Sequence, residues 1–219
     1  MSPATPENGR DVTAAGLDPS LSPEGLDVLI LADRADLWAT IAPGLGHDLA
    51  NALMSLSSPR DDAQTRQSAR DRIQRARRAL AGMSEDERGP SVPIPDLCDD
   101  VIACQRMQLP LPRCEIRLTV DPTITAFGNA RLHHAVLALV TGAKEAGARH
   151  LELRAQREGT GFSLEVEADV EAPALGGRRA TVVRHLLAGV GGRLDVTSED
   201  GHTTWCMHFP PRVRANLSG

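Results

Sequence analysis

Apolar residues recur at helical spacing over two consecutive stretches near the start of the chain. From Glu24 to about Ser57, leucines and isoleucines follow at helical intervals, which predicts one long helix with a kink or restart at Pro43. After a turn at 58–62, a second stretch spaces its apolar residues by four, three, four and three: Ala69, Ile73, Ala76, Leu80 and Met83. That spacing is typical of a coiled-coil seam.

Two such helices joined by a short loop form an antiparallel hairpin, which we assign to residues 24–85. A hairpin alone leaves most of each apolar stripe in water. The pattern therefore predicts a homodimer that pairs two hairpins in a four-helix bundle. Residues 1–23 are polar and rich in proline and glycine, and we expect a disordered tail there.

The remainder of the chain mixes helical and strand patterns. Helical periodicity predicts helices near 94–107, 130–146 and 181–189. Alternation of apolar and polar residues predicts strands near 114–120, 150–156, 162–168, 193–197 and 203–209. Helices segregated from an antiparallel-rich sheet make an α+β sandwich, assigned to residues 96–212, with a linker at 86–95 and a tail at 213–219.

Composition narrows the function classes. Aromatic residues make up 2% of the chain and the formal net charge is -5, so neither base stacking nor a general basic surface is available for nucleic acid or anionic membranes. No apolar run is long enough to span a bilayer, and the four cysteines show no CxxC pairing. We therefore expect a cytoplasmic protein with reduced thiols.

One short run on the first predicted helix carries reactive groups. His47 lies nearly opposite the leucine stripe, Asn51 stands one turn further on the same exposed face, and Asp48 lies at its edge. A carboxylate beside an imidazole can orient the ring and accept its proton, which leaves a nitrogen lone pair free to attack phosphorus. The Asn51 amide can hydrogen-bond a phosphoryl oxygen or a water molecule.

This histidine, on a dimerising hairpin followed by an α+β domain, resembles the phospho-acceptor of the bacterial histidine kinases of two-component signalling. The resemblance spans roughly residues 30–210. It implies that His47 accepts the phosphoryl group, that Asp48 is the adjacent acid, and that Asn51 belongs to the motif for dephosphorylating a receiver. One departure is Ala52, where the family often has proline.

The second domain is similar in layout to the ATP-binding domain of the same kinases, but its nucleotide elements are altered. The best match is the helix at 131–146, in which Ala138 and Gly142 stand where the family has two asparagines, one of which helps to hold magnesium. Neither residue has a side-chain oxygen, so the metal would lose a ligand. His133 and His134 on this helix receive no functional assignment.

Two further elements of the family's nucleotide site are also reduced. Asp169 matches the acid that receives adenine, yet the glycines that follow it in the family are missing. The glycine-rich lid is shortened to the stretch at 176–181. The resemblance therefore narrows to dimeric histidine phosphotransferases with a degenerate ATP domain, and it implies no cofactor bound by this chain, with Mg²⁺ supplied by the partner receiver.

Arginines crowd the second predicted helix and the turn before it: Arg60, Arg66, Arg70, Arg72, Arg75, Arg77 and Arg78. We predict that Arg70 and Arg75 meet the acidic pocket of a response regulator receiver domain and steer its encounter. The expected partners are such receivers, a hybrid histidine kinase as a further candidate, and a second copy of this chain.

The predicted function is histidine phosphotransfer between receiver aspartates in a bacterial phosphorelay, through His47 and without ATP. Three alternatives stay open on the sequence. One is a divergent ATP-dependent sensor histidine kinase, and another is a non-catalytic scaffold or inhibitor that docks on a kinase or response regulator. The last is a phosphatase that needs Asn51 but not His47.

Overall fold

The structure is a computed structural model that describes residues 22–57, 63–82, 92–108, 111–126, 129–171 and 178–210. Its helices are α1 (Pro23–Leu56), α2 (Ala63–Gly82), α3 (Ile94–Met107), α4 (Asn129–Glu145) and α5 (Arg178–Ala188). Its strands are β1 (Val92–Pro93), β2 (Glu115–Val120), β3 (Thr125–Ala126), β4 (His150–Glu158), β5 (Gly161–Ala168), β6 (Arg193–Glu199) and β7 (His202–Phe209). Most of both predicted tails and of the predicted linker lies outside the described residues.

Helix α1 begins where the sequence supplies a cap. The Ser22 side chain accepts a hydrogen bond from the backbone N–H of Gly25 at 3.1 Å. Pro23 follows in the first turn, where a proline loses no intrahelical bond. Pro43 lies inside α1, which continues past it to Leu56 as one helix. Among the described helices, none is both long and apolar enough to cross a membrane.

Helix α2 returns beside α1 and also packs on α3. Its apolar seam is divided between two surroundings, because Ala69 and Ala76 are buried whereas Ile73 and Leu80 are 43% and 46% exposed. Alanine side chains are short enough to let neighbouring helices approach closely. Part of the seam that we predicted to face a second copy is thus buried within a single chain.

A mixed sheet of five strands forms one layer of the second domain. Its order is β2-β4-β5-β7-β6, with β2 parallel to β4 and the other neighbours antiparallel. Alternation along β7 buries Thr203, Trp205 and Met207, while α3, α4 and α5 contact strands of the same sheet. The predicted α+β sandwich is therefore present, with a separate β1-β3 ribbon beside it.

The predicted linker at 86–95 extends too far. Val92 and Pro93 form β1, which pairs with β3, and Ile94 begins α3. The Ile94 side chain is fully buried, and its N–H donates to the carbonyl of Ile124 at 2.9 Å. Proline-rich sequence indicated a linker, but the apolar side chain between the prolines gains more from burial than from exposure.

The first half of α1 packs on the second domain. Leu37 and Ile41 are fully buried in the same core as the sheet, and α1 contacts α3, α4 and α5. Asp33 is fully buried as well, with its Oδ2 2.9 Å from Nε2 of His134 on α4. The hairpin and the sandwich therefore share one core, and this contact fixes where α1 presents His47.

Two glycines, Gly44 and Gly46, precede His47 on α1 and have different surroundings. Substituting each by alanine gives a pair of predictions. A Cβ at Gly44 would collide with the backbone of Met107, whereas a Cβ at Gly46 would meet nothing within 4 Å. Gly44→Ala should lower the free energy of unfolding by about 1–3 kcal/mol through overpacking. Gly46→Ala should raise it by about 0.5–1 kcal/mol, because alanine favours a helix interior. Urea unfolding of both variants checks the pair, and equal effects would contradict the close approach at Gly44.

Candidate functional site

His47 lies on the exposed side of α1, as the helical wheel predicted. Its side chain is 61% exposed, whereas Ala52 on the opposite side of the helix is buried. The ring is therefore accessible to a second protein while its backbone is held in a packed helix. A rigid helix is a suitable base for a nucleophile that a large partner must approach in line.

The Asn51 side chain contacts the imidazole of His47 from the next turn. Its amide nitrogen lies 3.1 Å from Nδ1 and 3.0 Å from Nε2. Only a ring nitrogen with a lone pair can accept this hydrogen bond, so in the Nδ1–H tautomer the amide donates to Nε2. In that tautomer the amide covers the lone pair of Nε2.

The Asp48 carboxylate is held by helix α2. Arg72 Nη1 donates to Oδ1 at 3.1 Å, and Arg75 donates to Oδ2 through Nη2 at 3.2 Å and Nε at 3.4 Å. The nearest approach to His47 is 3.9 Å, from Oδ1 to Nδ1, which is beyond hydrogen-bond distance. In this conformation Asp48 links the two helices of the hairpin and does not hydrogen-bond the ring.

The two arginines predicted to meet a receiver stand in different positions. Arg70 is exposed on α2. Arg75 is partly exposed, and its guanidinium is bound to Asp48. A receiver that met Arg75 would therefore meet a cluster of two arginines and one carboxylate, whereas Arg70 presents a more accessible cation.

An apolar patch continues along the hairpin beyond the site. We call it the hairpin patch, and its members are all more than a third exposed: Leu49, Leu53, Leu56, Ile73 and Leu80. Exposed apolar side chains that cluster on one face mark contact surfaces. The hairpin patch is the part of the predicted stripes that the second domain does not cover.

The positions that match the kinase asparagines lie on α4 and provide no side-chain oxygen. Ala138 and Gly142 are both buried. The Arg179 guanidinium reaches this part of α4, where it donates to the carbonyl of Ala138 at 3.5 Å and to Glu145 at 2.8 Å. The Arg179 guanidinium is therefore bound by protein acceptors on this part of α4.

Carboxylates of α1 face the two arginines that begin α5. Arg179 Nε lies 3.8 Å from Asp33 Oδ1, and Arg178 pairs with Asp36. Asp33 also bonds His134, so one buried carboxylate is shared by an arginine and a histidine. The predicted lid stretch before Arg178 lies outside the described residues.

The Asp169 carboxylate is hydrogen-bonded to residues at the start of β4. Its Oδ1 accepts from the backbone N–H groups of Arg149 and His150 at 2.8 and 3.0 Å, and its Oδ2 lies 3.0 Å from Nδ1 of His150. Partial burial would raise the pKa of Asp169, but these hydrogen bonds hold it at about 2. The acid that matches the adenine-binding position of the kinases is therefore occupied by its own chain.

Histidines 133 and 134 lie side by side on α4 but differ in their partners. Nε2 of His134 lies 2.9 Å from Oδ2 of Asp33. His133 is fully buried, and burial lowers its pKa to about 4. Among the described residues, no group of three or more His, Cys, Asp and Glu side chains is placed to hold a metal ion.

Asp33 and Arg72 had no individual role predicted from the sequence. Asp33 falls on the apolar face of α1, at helical spacing from Leu26, Ile30 and Leu37. An acid among apolar positions is the signal that could have indicated a buried ion pair. Nothing distinguished Arg72 from the other arginines of α2, because its partner is 24 residues away in sequence.

A solved structure of a histidine kinase shares this arrangement of helices and sheet. The histidine kinase AdeS of Acinetobacter baumannii is similar with a TM-score of 0.51 and 11% identity, over 75% of this chain and 94% of that one. The fold is histidine kinase-like.

Two other solved structures are similar over different lengths of the chain. A bacterial phosphotransferase covers 88% of it at 10% identity, with a TM-score of 0.49 and all of its own chain matched. The ATP-binding domain of PrrB from Mycobacterium tuberculosis covers 57% of it at 20% identity, with a TM-score of 0.48 and 99% of its own chain matched. At these identities the likeness concerns the fold alone. In sequence comparisons, no family profile and no curated protein matches the chain.

Proposed function

We propose that this protein is a histidine phosphotransferase of a two-component phosphorelay, in which His47 carries the phosphoryl group. The observation that carries the proposal is the exposed imidazole of His47, contacted by Asn51, on the first helix of a histidine kinase-like fold. A phosphohistidine at this position is open to receiver domains, whose aspartates would donate and accept the group.

The transfer needs a neutral ring and an in-line approach. The Nε2 lone pair of His47 attacks phosphorus of the receiver's aspartyl phosphate, the N–P bond forms, and the aspartate carboxylate leaves with the electron pair of the broken O–P bond. Transfer to a second receiver reverses these steps. Because little bond-making chemistry falls to the protein, positioning of the ring by α1 supplies most of its contribution.

The contacts between α4 and Arg179 of α5 support a reaction in which ATP is not the phosphoryl donor. The residues that match the kinase magnesium site offer Ala138 and Gly142 without side-chain oxygens, and the Arg179 guanidinium bonds α4 there. Among the described residues, these side chains do not fit a magnesium nucleotide. The group would therefore come from a phosphorylated receiver, which carries its own Mg²⁺.

A phosphotransfer assay with the purified chain tests the proposal. Receiver domains labelled on their aspartate are mixed with the protein, in parallel with labelled ATP alone. We expect acid-labile, alkali-stable label on the chain in the receiver arm and none in the ATP arm. Label from ATP would favour the divergent kinase. Receiver dephosphorylation without label on the chain would favour the phosphatase, and no reaction in either arm would favour the scaffold.

We also propose that two copies pair through the hairpin patch in a four-helix bundle. The patch is apolar and exposed within one chain, and a second copy of the same stripe would cover it. An isologous contact of this kind leaves both His47 side chains on outward faces.

Leu53→Glu tests this pairing, since Leu53 is 65% exposed in the patch. A charge buried in the interface should raise the dimer dissociation constant by roughly 100-fold or more. Analytical ultracentrifugation measures it, with Leu118→Glu as the control because Leu118 is an exposed leucine on β2, outside the patch. Equal dissociation constants for the two variants and the wild type would contradict the proposed bundle.

A further inference from the structure

The Asp48 carboxylate lies between the His47 ring and two arginines. Its Oδ1 is 3.9 Å from Nδ1 of His47 and accepts a hydrogen bond from Arg72 at 3.1 Å. Its other oxygen accepts from Arg75. All three side chains of this ion-pair cluster retain contact with solvent, with 17%, 31% and 35% of Asp48, Arg72 and Arg75 exposed.

The two arginines hold Asp48 unequally. Arg75 approaches Oδ2 through both Nε and Nη2, whereas Arg72 approaches Oδ1 through Nη1 alone. A guanidinium that donates twice loses more on leaving than one that donates once. Arg72 is therefore the arginine that can exchange partners, and Arg75 can keep α1 and α2 joined.

Phosphorylation of His47 would change the charge beside this cluster. A phosphoryl group on Nε2 brings about two negative charges and three acceptor oxygens to the ring whose Nδ1 lies 3.9 Å from Asp48 Oδ1. Guanidinium groups bind phosphate oxygens strongly, and the Arg72 donor already contacts the carboxylate oxygen that is nearest to the ring.

We infer that Arg72 is a phosphoryl-binding residue that moves from Asp48 to the phosphoryl oxygens when His47 is phosphorylated. The inference rests on the proposed phosphotransfer through His47. Asp48 Oδ1, once released by Arg72, is then available to accept a hydrogen bond from Nδ1–H of the ring.

This exchange serves both directions of transfer. Attack by Nε2 on phosphorus leaves a positive ring that still carries Nδ1–H, and the freed Asp48 stabilises that charge. In the reverse step the N–P bond breaks, its electron pair returns to Nε2, and the ring leaves neutral with the proton still on Nδ1. While the group is on His47, Arg72 neutralises the charge on the three phosphoryl oxygens.

The test uses a small phosphodonor so that His47 can be loaded without any receiver. The full-length wild type, Arg72→Ala, Arg72→Lys and the control Arg77→Ala are phosphorylated with phosphoramidate. Arg77 is exposed on the same helix and suits the control. Two quantities are then measured: the hydrolysis rate of the phosphohistidine against pH, and kcat and KM for transfer to a receiver.

We expect Arg72→Ala to lower kcat by roughly 10-fold to 100-fold with a smaller change in KM, because a charge-assisted contact to the transferred group is lost. Removing the Arg72 guanidinium also makes it easier to protonate the phosphorylated His47 ring, because one positive charge near the ring is lost. The acid limb of phosphohistidine hydrolysis should therefore move to higher pH in Arg72→Ala, and Arg72→Lys should restore part of both effects. Arg77→Ala should match the wild type.

The outcomes separate this inference from the proposed function. If phosphoramidate loads His47 and receivers accept the group, but Arg72→Ala keeps the wild-type kcat and pH profile, the exchange is wrong and the proposed function stands. A lower unfolding free energy with an unchanged pH profile would assign Arg72 to holding the hairpin together. If receivers neither give to nor take from His47 in any variant, the proposed function itself fails.

Discussion

Replacing His47 by alanine is expected to abolish transfer of the phosphoryl group from receivers to this chain, a loss of more than about 1,000-fold in rate. No neighbouring side chain can take over, because Asn51 has no nucleophilic lone pair of comparable strength and Asp48 is bound by Arg72 and Arg75. The measurement is the rate at which label from a phosphorylated receiver appears on the purified variant.

The fold should survive this substitution, since the imidazole is 61% exposed and is hydrogen-bonded to Asn51 alone among the described residues. His202→Ala is a matched control, because His202 is another exposed histidine, on the β6–β7 hairpin far from α1 in sequence. Undiminished labelling of His47→Ala would place the acceptor elsewhere and refute the proposed role of His47.

The second large effect concerns stability. Asp33→Ala should lower the free energy of unfolding by about 3–5 kcal/mol, because it removes one member of a buried ion pair and leaves His134 and Arg179 without their shared carboxylate. Asp33 is fully buried, so water does not take the place of the lost carboxylate. Urea unfolding followed by circular dichroism measures the change.

Asp36→Ala provides the control within the same helix. Asp36 pairs with Arg178, but this pair is about half exposed, and its loss should change the free energy of unfolding by at most about 1 kcal/mol. If both variants lost the same small amount of stability, the buried network would not join α1 to the second domain as the structure indicates.

Buried Asp33 and exposed Asp36 differ in how strongly they hold the helical hairpin to the second domain. Helix α1 contacts α3, α4 and α5, and Asp33 pairs with His134 of α4 and Arg179 of α5. A sandwich that is fixed to α1 in this way can support the helix that carries His47.

Much of the secondary structure follows from periodicity in the sequence. The helices near 94–107 and 130–146 and the alternating strands near 150–156 and 203–209 match α3, α4, β4 and β7 closely. Burial on one face imposes the period of a helix or a strand on its apolar residues, so local sequence carries this information. The same argument placed His47 opposite the leucine stripe.

Other features depended on contacts between distant parts of the chain. The pattern could not tell that Arg72 and Arg75 bind Asp48, or that Asp33 meets His134, which is 101 residues away. The predicted linker at 86–95 also overlapped the predicted helix that begins near 94, and the pairing of β1 with β3 and the burial of Ile94 show that the second domain has already begun there.

The sequence by itself therefore determined the order of elements, the α+β class of the second domain and the exposed position of His47, because each depends on residues a few positions apart. The tertiary structure alone decided which charges are paired and which apolar residues stay exposed. Ion pairs form between whichever side chains the packing of helices brings within about 4 Å, and that packing is set by the whole core at once.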